Sequence, residues 1–530
     1  MNVRHVGDPG GADTRITSLL VPSYHIRCTI IPARDRGGER VGRDDMNAMD
    51  VRVGTASVRS ADRRWAGLAV LLTGAFIAVM NAIIVNVALP SVRDDLGASF
   101  TELTAVVAYY SLAYAMVLIT GGRLGDLQGR RRVFVWGLGA FTVASGLCAL
   151  APTPEILIGT RILQGIAAAV MYPQVMSLIR VTFVDPWERA TAFAALGIAL
   201  GLSAIVGQFL GGLLVDINPW GLAWRSVFLI NVPVGLVAMV AATKLVAESR
   251  SSTARRFDVL GVGLSAVGLG LLLYALINGR AAGWPAWTFV MLAIAAAVLA
   301  LFVMHQRARS TAGSSGTALV DTALLTNRTF AVGIVMALVV HATIVAFPFL
   351  LVFLFQLGLS HSAFETGVIM VPHAIIFMIA SLAVSRLIAW FGRTAVLANG
   401  ALLTAMGFAA AAITLSVVDT PSGWHVIPAL MVVGAGQGLV LTPMLNAIMS
   451  GVPEDLAGSA SGLTSTMQQV GGAFGVAMIN LLYFGALQAS SVGAQAAHVA
   501  AFQVGAGGAV AAALITLVLA LLLPRPAGQA

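Results

Sequence analysis

Charge is scarce in this chain of 530 residues: 10% are Asp, Glu, Lys or Arg against 58% hydrophobic, and the mean hydropathy is +0.89. A soluble fold of that size cannot keep its surface wet with so few charges, so a water-soluble globular protein is excluded. Cysteine is nearly missing too. Cys28 lies in a polar leader and Cys148 inside an apolar run, which leaves nothing for a disulfide framework or a cysteine metal cluster. Lysine occurs once, at Lys244. There is no Gly-x-x-x-x-Gly-Lys-Ser/Thr phosphate loop, so ATP-driven transport by this chain is not expected, and no His-Glu-x-x-His metal site. The eight histidines are scattered and form no catalytic constellation, so no enzyme activity, cofactor or metal is expected. The formal net charge of +8 would suggest nucleic acid in a soluble protein. Here the arginines cluster between apolar runs and in the first 64 residues, which is how charge sets membrane orientation, and no nucleic-acid partner is expected.

What the chain has in abundance is long apolar runs. A span needs about 20 mostly apolar residues to cross roughly 30 Å of hydrocarbon. Fourteen such runs follow one another, the first near Trp65 to Pro90 and the last near Ala500 to Leu523. This predicts an all-α polytopic membrane protein with six spans in residues 65–246, two in 247–328 and six in 329–524. The 1–64 leader mixes eleven arginines with acids, Gly and Pro, lacks the apolar core of a signal peptide, and reads as a disordered extension. Met46 and Met49 offer starts that would remove most of it without touching a span. Residues 310–316 read as a flexible linker and 525–530 as a short tail. Arginines fall mostly after even-numbered spans (Arg123 and Arg130 to Arg132, Arg180 and Arg189, Arg250, Arg255 and Arg256, Arg307, Arg309 and Arg328, Arg393), against only Arg93, Arg225 and Arg280 after odd-numbered ones, which places both termini in the cytoplasm.

One short link concentrates the chemistry. Gly121-Gly-Arg-Leu-Gly-Asp-Leu-Gln-Gly-Arg-Arg-Arg-Val133 puts glycine turns, an acid and four arginines between two apolar runs. Glycines allow close helix approach and tight turns, Asp126 accepts bonds from arginines or a helix N-terminus, and the arginines hold the link at one face. Gating latch and plain topology signal are both open readings. With these residues the chain resembles the major facilitator superfamily, specifically its fourteen-span drug:proton antiporters, over nearly everything after Arg64. Gly122, Leu124, Asp126, Gly129, Arg130 and Arg131 match the family's loop, Gly125 replaces its alanine, and Arg386, Gly392 and Arg393 form a weaker counterpart. The resemblance implies two six-helix bundles plus two extra central helices, the latter not lining the route. It also implies export of amphipathic drugs or metabolites across the inner membrane by proton antiport, with the bilayer, a small-molecule cargo and a proton as partners. An adaptor protein is not specified.

The remaining candidates sit inside spans. Arg161 and Gln164 lie one helical turn apart in the fourth, and an arginine that deep is functional by default and expected to face the central cavity; snorkelling outward is the alternative. Gly197, Gly201, Gly207, Gly211 and Gly212 form a packing stripe in the fifth, where Gln208 replaces the family's proline. Gln437 and neighbouring glycines match the family's closing spans, lining the cavity or only packing. In the first span Asn81 stands where the family carries an acid, with Asn86 further on. An amide neither takes up a proton nor pairs with a cationic cargo as a carboxylate does. None of the twenty-three acids lies near a span centre, which leaves His341 and His373 as candidate proton carriers. An uncoupled or anion-preferring facilitator and a transport-dead sensor are the alternatives.

Overall fold

The computed structural model describes residues 43–250, 258–311, 322–450, 452, 457–491 and 493–524. Residues 1–42 of the leader, most of the 310–316 linker and the tail lie outside them. Helix begins at Arg43, so the last part of the leader departs from the disordered reading; no proline interrupts 43–89, and Ala, Met and Arg supply helix propensity.

Fourteen helices long and apolar enough to cross a membrane are found among the described residues. In chain order they are α1 (Arg63–Leu96), α2 (Phe100–Gln128), α3 (Arg130–Ala149), α4 (Pro154–Thr182), α5 (Pro186–Ile217), α6 (Arg225–Leu245), α7 (Val259–Ala281) and α8 (Ala286–Thr311). They continue as α9 (Arg328–Gly358), α10 (Ala363–Phe391), α11 (Arg393–Val417), α12 (Gly423–Met449), α13 (Ala457–Ala489) and α14 (Ala494–Leu522). Helices α1–α6 and α9–α14 form the two six-helix halves, and α7–α8 is the extra pair. Local signals set the ends: Ser99 with Glu102 and Ser362 with Glu365 make capping boxes that start α2 and α10, and Asp185 caps α5. Gly129 (φ 109°) and Gly392 (φ 79°) turn the chain between α2 and α3 and between α10 and α11, a left-handed conformation that favours glycine at the same place in each half.

Three apolar cores organise the packing. At the arginine-rich end each half has its own: Leu71, Phe134, Met171 and Ala242 belong to the first half, Phe330, Leu397, Met444 and Leu463 to the second. At the arginine-poor end the halves share one core, in which Leu89, Leu103 and Phe228 join Phe353, Leu430 and Phe484. Helix α7 packs on both α2 and α13, with Leu269, Leu273 and Ile277 in that shared core. The start of α7 is tied to the end of α8 by Asp258, whose carboxylate accepts from Gly261 N (3.0 Å), His305 Nε2 (3.0 Å) and Gln306 Nε2 (2.8 Å) and pairs with Arg309 (3.3 Å). Burial pushes this carboxyl up, but the bonds from Gly261, His305 and Gln306 and the charge of Arg309 outweigh it and hold it below the usual carboxylate range.

Candidate transport core

In the first half the polar core is built around Arg161. Its side chain has no exposed surface. Nη1 donates to Asn81 Oδ1 and to Gln164 Oε1, both at 2.6 Å, Nε donates to the Val106 carbonyl (3.2 Å), and the guanidinium lies 4.0 Å from the Tyr110 ring centroid. Gln164 Nε2 in turn donates to Ser145 Oγ (2.7 Å). The charge is met by amide and carbonyl dipoles and an aromatic face, and no ion pair to Arg161 is found among the described residues. It lies within the half between α1, α2 and α4 instead of opening on solvent. The Nη2 atom, Asn81 Nδ2 and Asn86 Oδ1 are buried without hydrogen-bond partners.

The second half repeats this arrangement with different chemistry. Gln164-Gly165 in α4 corresponds to Gln437-Gly438 in α12, because a side chain at Gly165 would overlap the Tyr110 carbonyl of α2, and one at Gly438 the Phe377 carbonyl of α10 (2.5 Å). Three residues before each glutamine stand Arg161 and Gly434. Arg161 bonds the Val106 carbonyl, and a side chain at Gly434 would overlap the equivalent carbonyl, that of His373. The imidazole then takes the guanidinium's role: His373 Nε2 and Gln437 Oε1 are 3.1 Å apart, with Phe347 at 6.3 Å between ring centroids. His341 is placed differently, its Nδ1 bonded to the Ala337 carbonyl of its own helix (3.0 Å).

The seam between the halves is closed at the arginine-poor end. Asp216 accepts from the backbone N–H groups of Ala363 (3.2 Å) and Phe364 (3.0 Å) at the start of α10. Asn480 Nδ2 donates to Thr104 Oγ1 (2.8 Å), Gln356 Nε2 donates to the Val87 carbonyl (2.9 Å), and Phe100 stacks on Phe484 at 4.2 Å. Along α5 the seam then widens. A side chain at Gly212 would collide with the Ala363 carbonyl, one at Gly201 would meet only Met378 at 3.5 Å, and one at Gly197 would meet nothing within 4 Å. The 15 steps from Gly197 to Gly212 span about 22 Å of helix. Gly207 and Gly211 press on α1 at Met80 and Ile84, and Gln208 is buried with Oε1 unbonded while its backbone carbonyl lies against Gly367.

The arginine-rich link is tied to its own half. Arg130 pairs with Asp126 (2.7 Å), and its N–H donates to the Ser249 carbonyl (2.9 Å). The two oxygens of Glu248 accept from Arg131 N (3.0 Å) and Arg132 N (3.2 Å), capping α3 at its positive end. Gly125 is tight against the Gln174 side chain, whose Nε2 donates to the Gly121 carbonyl (2.7 Å), so the alanine expected there would need Gln174 to move. Gly122 faces Pro173, and Arg123 is half-buried on α2.

Comparison with known families agrees with this architecture. The profile of the Major Facilitator Superfamily matches residues 71–256 and 249–476. The chain belongs to that superfamily. Among curated relatives, a probable actinorhodin transporter of Streptomyces coelicolor is 38% identical over 80% of this chain and 73% of its own length. A puromycin resistance protein of Streptomyces alboniger is 32% identical (84% and 86%), and a tetracenomycin C resistance and export protein of Streptomyces glaucescens is 32% identical (81% and 77%). Among solved structures, a peptide transporter POT in complex with sulfate aligns with a TM-score of 0.59 at 16% identity, covering 86% of this chain and 94% of that one. The nucleoside transporter NupG gives 0.58 at 11% (87% and 100%). These structures share the fold. The matched family consists of transporters, not enzymes.

Within the Major Facilitator fold the residues singled out in the sequence separate. Asn81, Arg161 and Gln164 come together in one bonded cluster and His373 joins Gln437 in the other half; of the α5 glycines Gly201 and Gly212 face the seam while Gly207 and Gly211 press on α1; His341 and the arginine-rich link stand apart from both clusters. Sequence reading missed Glu248, Ser145 and Tyr110 as partners. An acid directly after a span, with orphan N–H groups across the bundle, carries no local signal, because the contact joins residues more than 110 positions apart.

Proposed function

We propose that this protein is a drug exporter of the inner membrane, with both termini cytoplasmic, working by proton antiport and alternating access. Its cargo is of the small-molecule class named for its relatives. The observation that carries this reading is the seam: one core shared by both halves at the arginine-poor end, separate cores at the other, and an α5 face that opens steadily between them. With arginines on the cytoplasmic side, that is the cargo-loading arrangement of an exporter. Of the two candidate histidines, His373 serves as the proton carrier, because its ring bonds a side chain of another helix, so its protonation is felt outside α10, whereas His341 bonds only a carbonyl of its own helix.

Everted vesicles test this. Adding a transported drug, with puromycin and tetracenomycin C in the panel, should dissipate an imposed pH gradient. His373→Gln should keep drug binding and lose proton movement, while His341→Gln should keep both. Drug flux without proton movement would sink the antiport reading. It would instead favour an uncoupled, anion-preferring exporter, the alternative supported by an Arg161 held by Asn81 where an acid would be expected.

A further inference from the structure

Inside the second half, between α9, α11, α12 and α14, lies a cavity of about 10 Å³ lined by Thr343, Thr404, Gln437 and Thr516 among apolar residues. That is about the room one water requires. Its hydrogen-bonding inventory is lopsided. The hydroxyls of Thr343, Thr404 and Thr516 each donate to a carbonyl of their own helix, Val340 (2.8 Å), Gly400 (2.8 Å) and Ala512 (3.0 Å). Each therefore offers only lone pairs to the cavity. The one donor is Gln437, 3% exposed, whose Oε1 is committed to His373 and whose Nε2 has no hydrogen-bond partner.

We propose that the cavity binds a single water molecule and that this water makes Gln437 a positioning residue for His373. The water accepts from Gln437 Nε2 and donates to two of the three threonine oxygens. A metal cation or hydronium fits poorly, since the Gln437 N–H would face a positive charge, the metal offering it no lone pair and hydronium one too weakly basic to accept. With both hydrogens held by threonines the water can only accept, so the amide nitrogen must face it and the amide oxygen must face His373. Remove the threonine acceptors and the water is free to donate, which lets the amide turn its nitrogen toward the imidazole. Few other groups compete for the ring: α9 presents Phe347, while its His341 is bonded to its own Ala337 carbonyl; α12 presents Gln437 and Gly434; α5, which also packs on α10, carries no titratable residue between Arg189 and Asp216; and no ion pair to His373 is found among the described residues.

The positioning part rests on His373 as proton carrier, and the test separates the two. In a structure of the full chain at a resolution that shows waters, a density within hydrogen-bond distance of Gln437 Nε2 and two threonine oxygens is expected. An empty cavity, or a density that changes when sodium is exchanged for potassium, overturns the water. In vesicles, Thr404→Val/Thr516→Val and Gln437→Leu should each lower the midpoint of the pH profile of efflux by about one unit, because a bond to the charged imidazole is lost. Thr404→Ser/Thr516→Ser should leave it in place. An unmoved midpoint in Gln437→Leu alongside a profile abolished by His373→Gln overturns the positioning role. If His373→Gln itself leaves the profile unchanged, the proton-carrier reading and the positioning role fall together, and the density alone decides the water.

Discussion

The two halves hold corresponding glutamines, yet one faces a permanent cation and the other a titratable ring. Gln164 receives its bond from Arg161 on the same helix; Gln437 receives its bond from His373 on the neighbouring helix, where Gly434 has cleared the arginine's place. An arginine stays charged at any physiological pH, so the first core is electrostatically fixed. A histidine can change state, so the second core alone can respond to a proton. The comparison teaches that repeated helices supply the same scaffold twice, while one exchange across a helix pair decides which copy is static and which can switch.

The largest expected effect comes from removing the fixed charge. Arg161→Leu leaves Asn81 Oδ1 without a donor and Gln164 Oε1 with only the weak Cys148 thiol contact (3.9 Å), and should cost about 3 kcal/mol or more of stability, at roughly 1–3 kcal/mol for each of these two buried groups. Thermal unfolding in detergent would read this, and an unchanged melting temperature would break the claim that the first core is a bonded structural unit. Next, Gly434→Ala drives a methyl into the His373 backbone and should cost about 1–3 kcal/mol by overpacking, with loss of efflux. Gly197→Ala, with open space around it, should change stability little and serves as the control.

A smaller effect is expected where the chain does bury a carboxylate, outside both halves. Asp258 is held below its ordinary range, so it binds fewer protons folded than unfolded, and its stabilisation is present above the unfolded value of about 4 and fades as pH falls through the lower folded value. Asp258→Asn should therefore be less stable than the parent at pH 7 by about 1–2 kcal/mol, with the gap closing between roughly pH 5 and pH 2. A constant gap would show that the α7–α8 clamp does not depend on this charge. The mildest change, Asn81→Asp, gives Arg161 a carboxylate partner with little change of shape. It should strengthen proton dependence of efflux if the first core can be made to switch, and leave it unaltered if switching belongs to the second core alone.

Much of the fold was legible because a span announces itself by length and apolarity, signals that need no partner. Fourteen runs became fourteen helices, and Ser99, Asp185 and Ser362 mark starts readable three residues at a time. Arg161 and Gln164 were visible as neighbours because three-residue spacing places them on one face. Their tie to Asn81 was not, since it joins positions 80 apart. The seam was equally hidden: the stripe from Gly197 to Gly212 looks uniform along the sequence, and only its packing against α10 separates the tight end from the open one.

The sequence by itself determined that the chain crosses a membrane fourteen times, that Arg161 lies well inside a span while no carboxylate lies near a span centre, and that a glycine-rich, arginine-rich link joins α2 to α3. These follow from local composition and spacing, which act before the chain has any shape. The tertiary structure alone decided that Arg161 is enclosed, that Gln437 matches Gln164, that His373 and not His341 meets a polar side chain of another helix, and that the halves close at one end. Each depends on which residue a helix meets across a packed interface, and backbone carbonyls, glycine clearances and orphan donors acquire partners only when distant helices are brought together.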